Sequence, residues 1–330
     1  MRRRDILALF AGALASRPLP ATAQPGDRVR VIGVLIGLTE KDPENPLRIA
    51  NFERGLRDLG WIDGRNLRIH YRFGADADRL QASARELLAL QPAIIVASSS
   101  FVVFELLRLT QTIPIVFVTA ADPIGDGFVS SLARPGRNVT GFTSNYESMG
   151  GKWLELLMEI APNTDRVAVM FNPATATGSR AYFFPAFESA ARSIAVTPVG
   201  MPVHNAAEIE PVLAAFGRAP GGGLIVTPDN FAAVHRGRIV AEAARQRVPA
   251  IYSLRYFATE GGLMSYGVDL LDLYRRAAAN VDRILKGASP ADIPVQVSAK
   301  VDLVINLKTA NELGLAVPRI MLARANEVIE

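Results

Sequence analysis

The sequence predicts an α/β protein made of two like-folded units, each a parallel sheet covered on both faces by helices. Short apolar runs alternate with helical patterns from residue 28 onward, and this rhythm occurs twice along the chain. The runs are mostly apolar throughout, as strands buried on both faces are. A chain of 330 residues is also long enough to bury two sizeable cores.

The elements follow in order. Residues 29–36 (VRVIGVLI) read as a buried strand, and 47–59 carry apolar residues at helical spacing up to Gly60, a natural stop. Residues 66–73 alternate as a second strand, and 76–90 form an amphipathic helix. A third strand at 93–97 runs into Ser98-Ser99-Ser100 and a helix over 101–110, and 113–118 form a fourth strand. The second series has helices expected at 150–159, 181–194, 206–216 and 236–245, and strands at 166–171, 196–201, 223–227 and 250–252. After Gly261-Gly262 come a strand at 263–266, a strong helix at 271–285 ended by Lys286-Gly287, and an extended stretch at 293–299. An alternating strand at 301–306 precedes helices at 308–313 and 320–328.

The N-terminus reads as an export leader over residues 1–23. Arg2-Arg3-Arg4-Asp5 is a basic head, and residues 6–15 are an apolar run shorter than the roughly 20 residues of a membrane-spanning helix. Ala21-Thr22-Ala23 fits a small-x-small cleavage site, with Gln24 as the mature start. The paired arginines before Asp-Ile-Leu resemble a twin-arginine signal, and a plain Sec leader is the alternative. Either route predicts a periplasmic protein. Of 36 basic and 32 acidic residues, four arginines and one aspartate lie in the leader, so a formal charge of +4 becomes +1 in the mature chain. No basic block reads as a nucleic-acid footprint. The absence of cysteine excludes disulfides, thiolate metal sites, thiol catalysis and a lipidated leader junction.

Catalytic signatures are missing. There is no dinucleotide fingerprint and no P-loop: Gly221-Gly222-Gly223 precedes a strand, whereas a phosphate cradle follows one and opens a helix. Leu263-Met264-Ser265-Tyr266-Gly267 lacks the first glycine of a nucleophile elbow. His70, His204 and His235 have no metal-ligand spacing, and no metal or cofactor is expected. What remains is a set of polar residues at strand C-terminal ends, where open α/β sheets bind ligands. Thr39 and Glu40 follow the first strand, Ser98, Ser99 and Ser100 the third, and Thr119 and Asp122 the fourth. Asn172 and Asp229 stand at equivalent places in the second half. Each could equally be a helix N-cap. The three serines precede a helix whose free N–H groups suit a carboxylate. Tyr252 and Tyr266 offer aromatic contact or packing. No arginine clamp stands at a strand end.

Four segments make the reading more specific. Residues 122–141 read DPIGDGFVSSLARPGRNVTG, 249–252 read PAIY, 261–267 read GGLMSYG, and the tail contains KVDLVINLKTANELGL at 300–315 and MLARANEVIE at 321–330. The chain resembles, over its whole length, the ABC transporter substrate-binding proteins, a family that includes tryptophan- and tyrosine-binding members. Ile124 and Arg137 depart from the family pattern, as does the loop at 37–40, so amino-acid specificity is not carried over. The resemblance implies a type I periplasmic-binding fold: two Rossmann-like lobes joined by three crossovers, expected near 140–143, 261–263 and 294–297. The lobes would hold 28–141 with 262–293, and 142–261 with 294–330. It implies a monomer that captures a small molecule by hinge closure and delivers it to an ABC permease in the inner membrane. A sensing module, an exported α/β enzyme and a two-lobed transcription regulator are the alternatives. The last would need an N-terminal helix-turn-helix where this chain has a leader.

Overall fold

A computed structural model describes residues 29–143, 148–176, 179–298 and 300–330. The leader expected at 1–23 lies outside them. The first half runs β1 (Arg30–Ile36), α1 (Glu44–Asp58), β2 (Leu67–Phe73), α2 (Ala77–Ala89), β3 (Ile94–Ala97), α3 (Ser100–Leu107), β4 (Ile115–Ala120) and β5 (Val139–Thr143). The second runs α4 (Met149–Ile160), β6 (Arg166–Phe171), α5 (Ser179–Ser193), β7 (Thr197–Pro202), α6 (Ala206–Gly217), β8 (Gly222–Val226), α7 (Asn230–Val234), α8 (Arg236–Arg245), β9 (Ala250–Tyr252), α9 (Arg255–Thr259) and β10 (Met264–Val268). The chain ends with α10 (Leu270–Leu285), β11 (Gln296–Val297), β12 (Val301–Asn306), α11 (Leu307–Leu313), α12 (Arg319–Arg324) and β13 (Glu327–Ile329).

Two sheets result, with strand orders β2-β1-β3-β4-β5-β11 and β7-β6-β8-β9-β10-β12-β13. Pairing is parallel except between β10 and β12. β1 and β3 are buried through Ile32–Ile36 and Ile94–Ala97 because helices cover both faces. Side-chain caps start several helices: Asp76 accepts from Arg79 N at 2.9 Å, and Asp269 from Asp272 N at 3.1 Å. α1 lies against α10 so closely that a Cβ on Gly55 would come within 2.3 Å of the Arg275 carbonyl oxygen. That contact places α10 with the first sheet although its preceding strand belongs to the second.

The sheets therefore divide the chain differently from the sequence-based expectation. β10 hydrogen-bonds to β9 and β12, so residues 264–268 join the second sheet and not the first. β5 and β11 pair with each other in the first sheet. The chain leaves the first sheet after Thr143, returns after Val268 and leaves again after Val297. Gly261-Gly262, expected as a crossover, is instead the turn that ends α9: Gly261 takes φ +105°, and Gly262 N donates to the Phe257 carbonyl at 2.8 Å. Described residues that flank the three connections are tied together. Ser298 N donates to the Thr143 carbonyl at 2.9 Å, and Lys300 Nζ donates to Asp269 Oδ2 at 2.6 Å.

The final expected helix, 320–328, is also shorter. It stops at Arg324 because Leu303 N donates to the Asn326 side chain and Asn326 N to the Leu303 carbonyl, each at 2.8 Å, which pulls 327–329 into the sheet. Helices α7 and α9, of five residues each, are too short to show a period in sequence. Among the described residues no helix is long and apolar enough to cross a membrane.

Candidate functional site

The C-terminal ends of β1, β3 and β4 face those of β6, β8 and β9 across a cleft. Between them lies a cavity of about 80 Å³, lined by residues of both halves. Ser98, Ser99, Ser100 and Thr119 line it from the first sheet, and Asp229 from the second.

These side chains do different things. Ser98 Oγ accepts from Gly37 N at 2.9 Å and so fixes the loop after β1. Ser100 Oγ accepts from Ala121 N at 3.3 Å. Ser99 is the N-cap of α3 in extended conformation, but its hydroxyl caps nothing and has no hydrogen-bond partner. The first-turn N–H groups of α3 and the Ser99 hydroxyl thus remain as donors at the cavity wall. Asp229 is committed internally. Its Oδ1 accepts from Thr175 Oγ1 and from Phe231 N, the latter at 2.9 Å, and its Oδ2 from Asn172 N at 2.6 Å. Burial pushes its carboxyl pKa up, against those hydrogen bonds, which lower it.

The structure adds a residue absent from the sequence-based set. Arg48, on α1, lines the cavity and is 5% exposed. Its Nε has no hydrogen-bond partner, and none of the ion pairs among the described residues includes it. Its guanidinium carbon lies 5.6 Å from the ring centre of Tyr256 and 6.0 Å from that of Tyr274. Burial works against its charge, but Tyr274, Tyr256, Glu44 and Asp42 outweigh that and leave its pKa raised. Among the described residues, the cavity therefore holds a buried cation with no carboxylate within ion-pair distance.

A second buried arginine bridges the two halves. Arg236, at the start of α8, donates to both oxygens of Asp42 in the first half, at 2.6 and 3.1 Å, and to Glu260 Oε1 at 2.6 Å. Burial lowers its pKa, and the hydrogen bonds to Asp42 and Glu260 more than reverse this. Tyr256 touches this arginine too, its ring centre 5.1 Å from the guanidinium carbon. Nearby, the halves meet so tightly that a Cβ on Gly37 would lie 2.2 Å from Asn230 Oδ1.

Six expected site residues lie elsewhere. Thr39 and Glu40 are exposed and border a groove with Arg72, Arg79 and Glu86, because Asn45 Nδ2 binds their carbonyls and turns the loop outward. Asp122 closes a turn by accepting from Gly125 N at 2.8 Å. Asn172 is buried beneath the cleft, where its side chain holds His204 O and Ala174 N. Tyr252 is 1% exposed and stacks on Phe257 at 4.8 Å, inside the second core. Tyr266 lies by a hollow of about 880 Å³ on the outer side of α4 and α5. That hollow is larger than the cleft. Yet none of the unpartnered buried polar atoms belongs to a residue of its lining, whereas Arg48, Ser99 and Asn230 line the cleft. Chemistry, not size, singles out the cleft as the candidate site.

Arg48 had a sequence signal. Asn45, Arg48, Phe52, Gly55 and Leu56 share the buried face of α1, so an arginine occupies a position where helical spacing calls for an apolar residue. Arg236 and Asp42 gave none, since they meet across 194 positions.

Residues 43–329 match the family model described as ABC transporter substrate binding protein. A curated tyrosine-binding protein of Clostridioides difficile (strain R20291) is 26% identical over 267 residues, covering 80% of this chain and 75% of that protein. A crystal structure of an ABC domain in complex with L-Trp, from Streptococcus pneumoniae, superposes with TM-score 0.83 at 26% identity, over 91% of this chain and 99% of that one. A ligand-free, open substrate-binding protein with adhesive properties from Clostridium difficile shares the fold at TM-score 0.66 and 24% identity, over 91% and 99% of the two chains. The architecture is that of type I periplasmic binding proteins.

Proposed function

The chain belongs to the family of ABC transporter substrate-binding proteins, and from that premise we propose that it is the extracytoplasmic receptor of an importer, closing on a small carboxylate between its two sheets. The observation that carries this reading is Arg48, a buried guanidinium without a counter-ion beside the unpartnered Ser99 hydroxyl and the N-terminus of α3. A carboxylate placed there would compensate the cation and accept from the helix N–H groups at once.

The mechanism follows from the two walls. Three short connections join the units, so they can hinge. On closing, Arg236 meets Asp42, a bidentate pair between halves that is buried on both sides. Such a pair roughly balances its own desolvation, so it aligns the closed form without driving it. The driving energy has to come from a ligand that touches both walls, and closure then reports occupancy to the permease. The protein works as a monomer in this scheme. The L-Trp and tyrosine ligands of its relatives make amino acids candidates alongside simpler acids.

Differential scanning fluorimetry of the mature protein against a panel of carboxylates tests the reading. A ligand present at 100 times its dissociation constant should add about 2.7 kcal/mol of stability. Small-angle scattering should show contraction on binding. If no carboxylate shifts the unfolding temperature, the reading falls.

A further inference from the structure

We infer that the cleft selects a carboxylate that carries no α-ammonium group, in contrast to the amino acids named for its relatives. This rests on the carboxylate reading above and deepens it. Charge balance inside a small cavity carries the inference. Among the described residues, Arg48 is the cavity's only basic lining residue and Asp229 its only acidic one. They do not offset each other. Arg48 has no ion-pair partner, while both oxygens of Asp229 are taken by Thr175, Phe231 and Asn172. Asp229 is thus a knot that holds α7 and the end of β6, not a counter-ion waiting for a cation.

The remaining polar groups repeat the pattern. The Ser98 and Ser100 hydroxyls already accept from Gly37 N and Ala121 N. The nearby carboxylates Asp42 and Glu260 are both bound to Arg236. What the walls still offer is the Arg48 guanidinium, the Asn230 Nδ2 amide, the first turn of α3 and the hydroxyls of Ser99, Thr119 and Tyr256, none of them an anion. An amino acid would satisfy them with its carboxylate but bring an ammonium with no free anion to meet it. A buried ammonium without a partner is costly. A monoanionic acid brings the one charge the cavity lacks. Leu38, Phe101, Ala233, Leu254 and Leu270 would surround its apolar part.

The test uses matched pairs that differ by the amino group: 4-methylpentanoate against L-leucine and 3-phenylpropanoate against L-phenylalanine, with L-tryptophan and L-tyrosine alongside. Titration calorimetry on the mature protein should find the deaminated acid tighter by about tenfold or more in at least one pair. The Arg48→Met variant should lose that binding while its ligand-free unfolding temperature holds or rises, and Arg48→Lys should keep part of the affinity. An amino acid that binds as tightly as its deaminated partner overturns the inference and leaves the carboxylate reading standing. Acid binding that survives in a folded Arg48→Met variant overturns it as well. Binding of neither series overturns both.

Discussion

Arg48 and Arg236 are buried to the same extent, each 5% exposed, within one cleft and against the same tyrosine ring. Arg236 receives two carboxylates from its own chain, and Arg48 receives none within ion-pair distance. The difference teaches how to read a buried charge. A cation neutralised by the fold serves the fold, here by aligning two halves. One that the fold leaves uncompensated points to a partner from outside.

The largest effect should come from breaking the neutralised side. Arg236→Met strands Asp42 in a buried site and should cost the closed form about 3–5 kcal/mol, weakening ligand binding by a hundredfold or more. Adding Asp42→Asn should recover most of this in a double-mutant cycle by calorimetry. Unchanged affinity would show that the Arg236–Asp42 pair has no part in closure and would remove the role assigned to it. A smaller effect should follow from Gly37→Ala, whose Cβ would meet Asn230 Oδ1 at 2.2 Å and Val102 Cγ2 at 3.1 Å. Overpacking of this kind costs about 1–3 kcal/mol and acts on closure, so affinity should drop and the liganded protein should scatter as a more open particle.

The smallest effect concerns Asp229, the carboxyl group that lines the cavity. Burial raises the Asp229 pKa, so the folded state holds this proton more tightly than the unfolded chain. Its contribution to stability is present below the ordinary aspartate range and is lost as pH rises through the raised value. Asp229→Asn should abolish that slope in denaturant titrations run from the ordinary aspartate range upward. It should also cost about 1 kcal/mol at every pH, because the new amide cannot accept from Asn172 N.

Much of the fold was legible because strands such as 93–97 and 223–227 are buried on both faces and read as continuous apolar runs. The sheet membership of 264–268 was not legible, since GGLMSYG has the same composition whichever neighbour it pairs with. In the site, the serines and Asp229 were found by their place after strands. Thr39, Glu40 and Asp122 occupy similar places, but Asn45 and Gly125 draw them into turns by bonds that no spacing rule anticipates. Arg48 lies on a helix away from the strand ends, and its signal is its position on a largely apolar helical face.

The ties among the three connections have a mechanical consequence. Ser298 N on the Thr143 carbonyl and Lys300 on Asp269 lash adjacent strips of chain into a ribbon. A ribbon is stiff against shear and against twist, and compliant only to folding across its width. With the hinge we propose, the motion that separates the two sheets would then follow close to a single angle. Opening can then be followed with one distance between probes, one on each half, and a lone distance distribution would contain the whole coordinate.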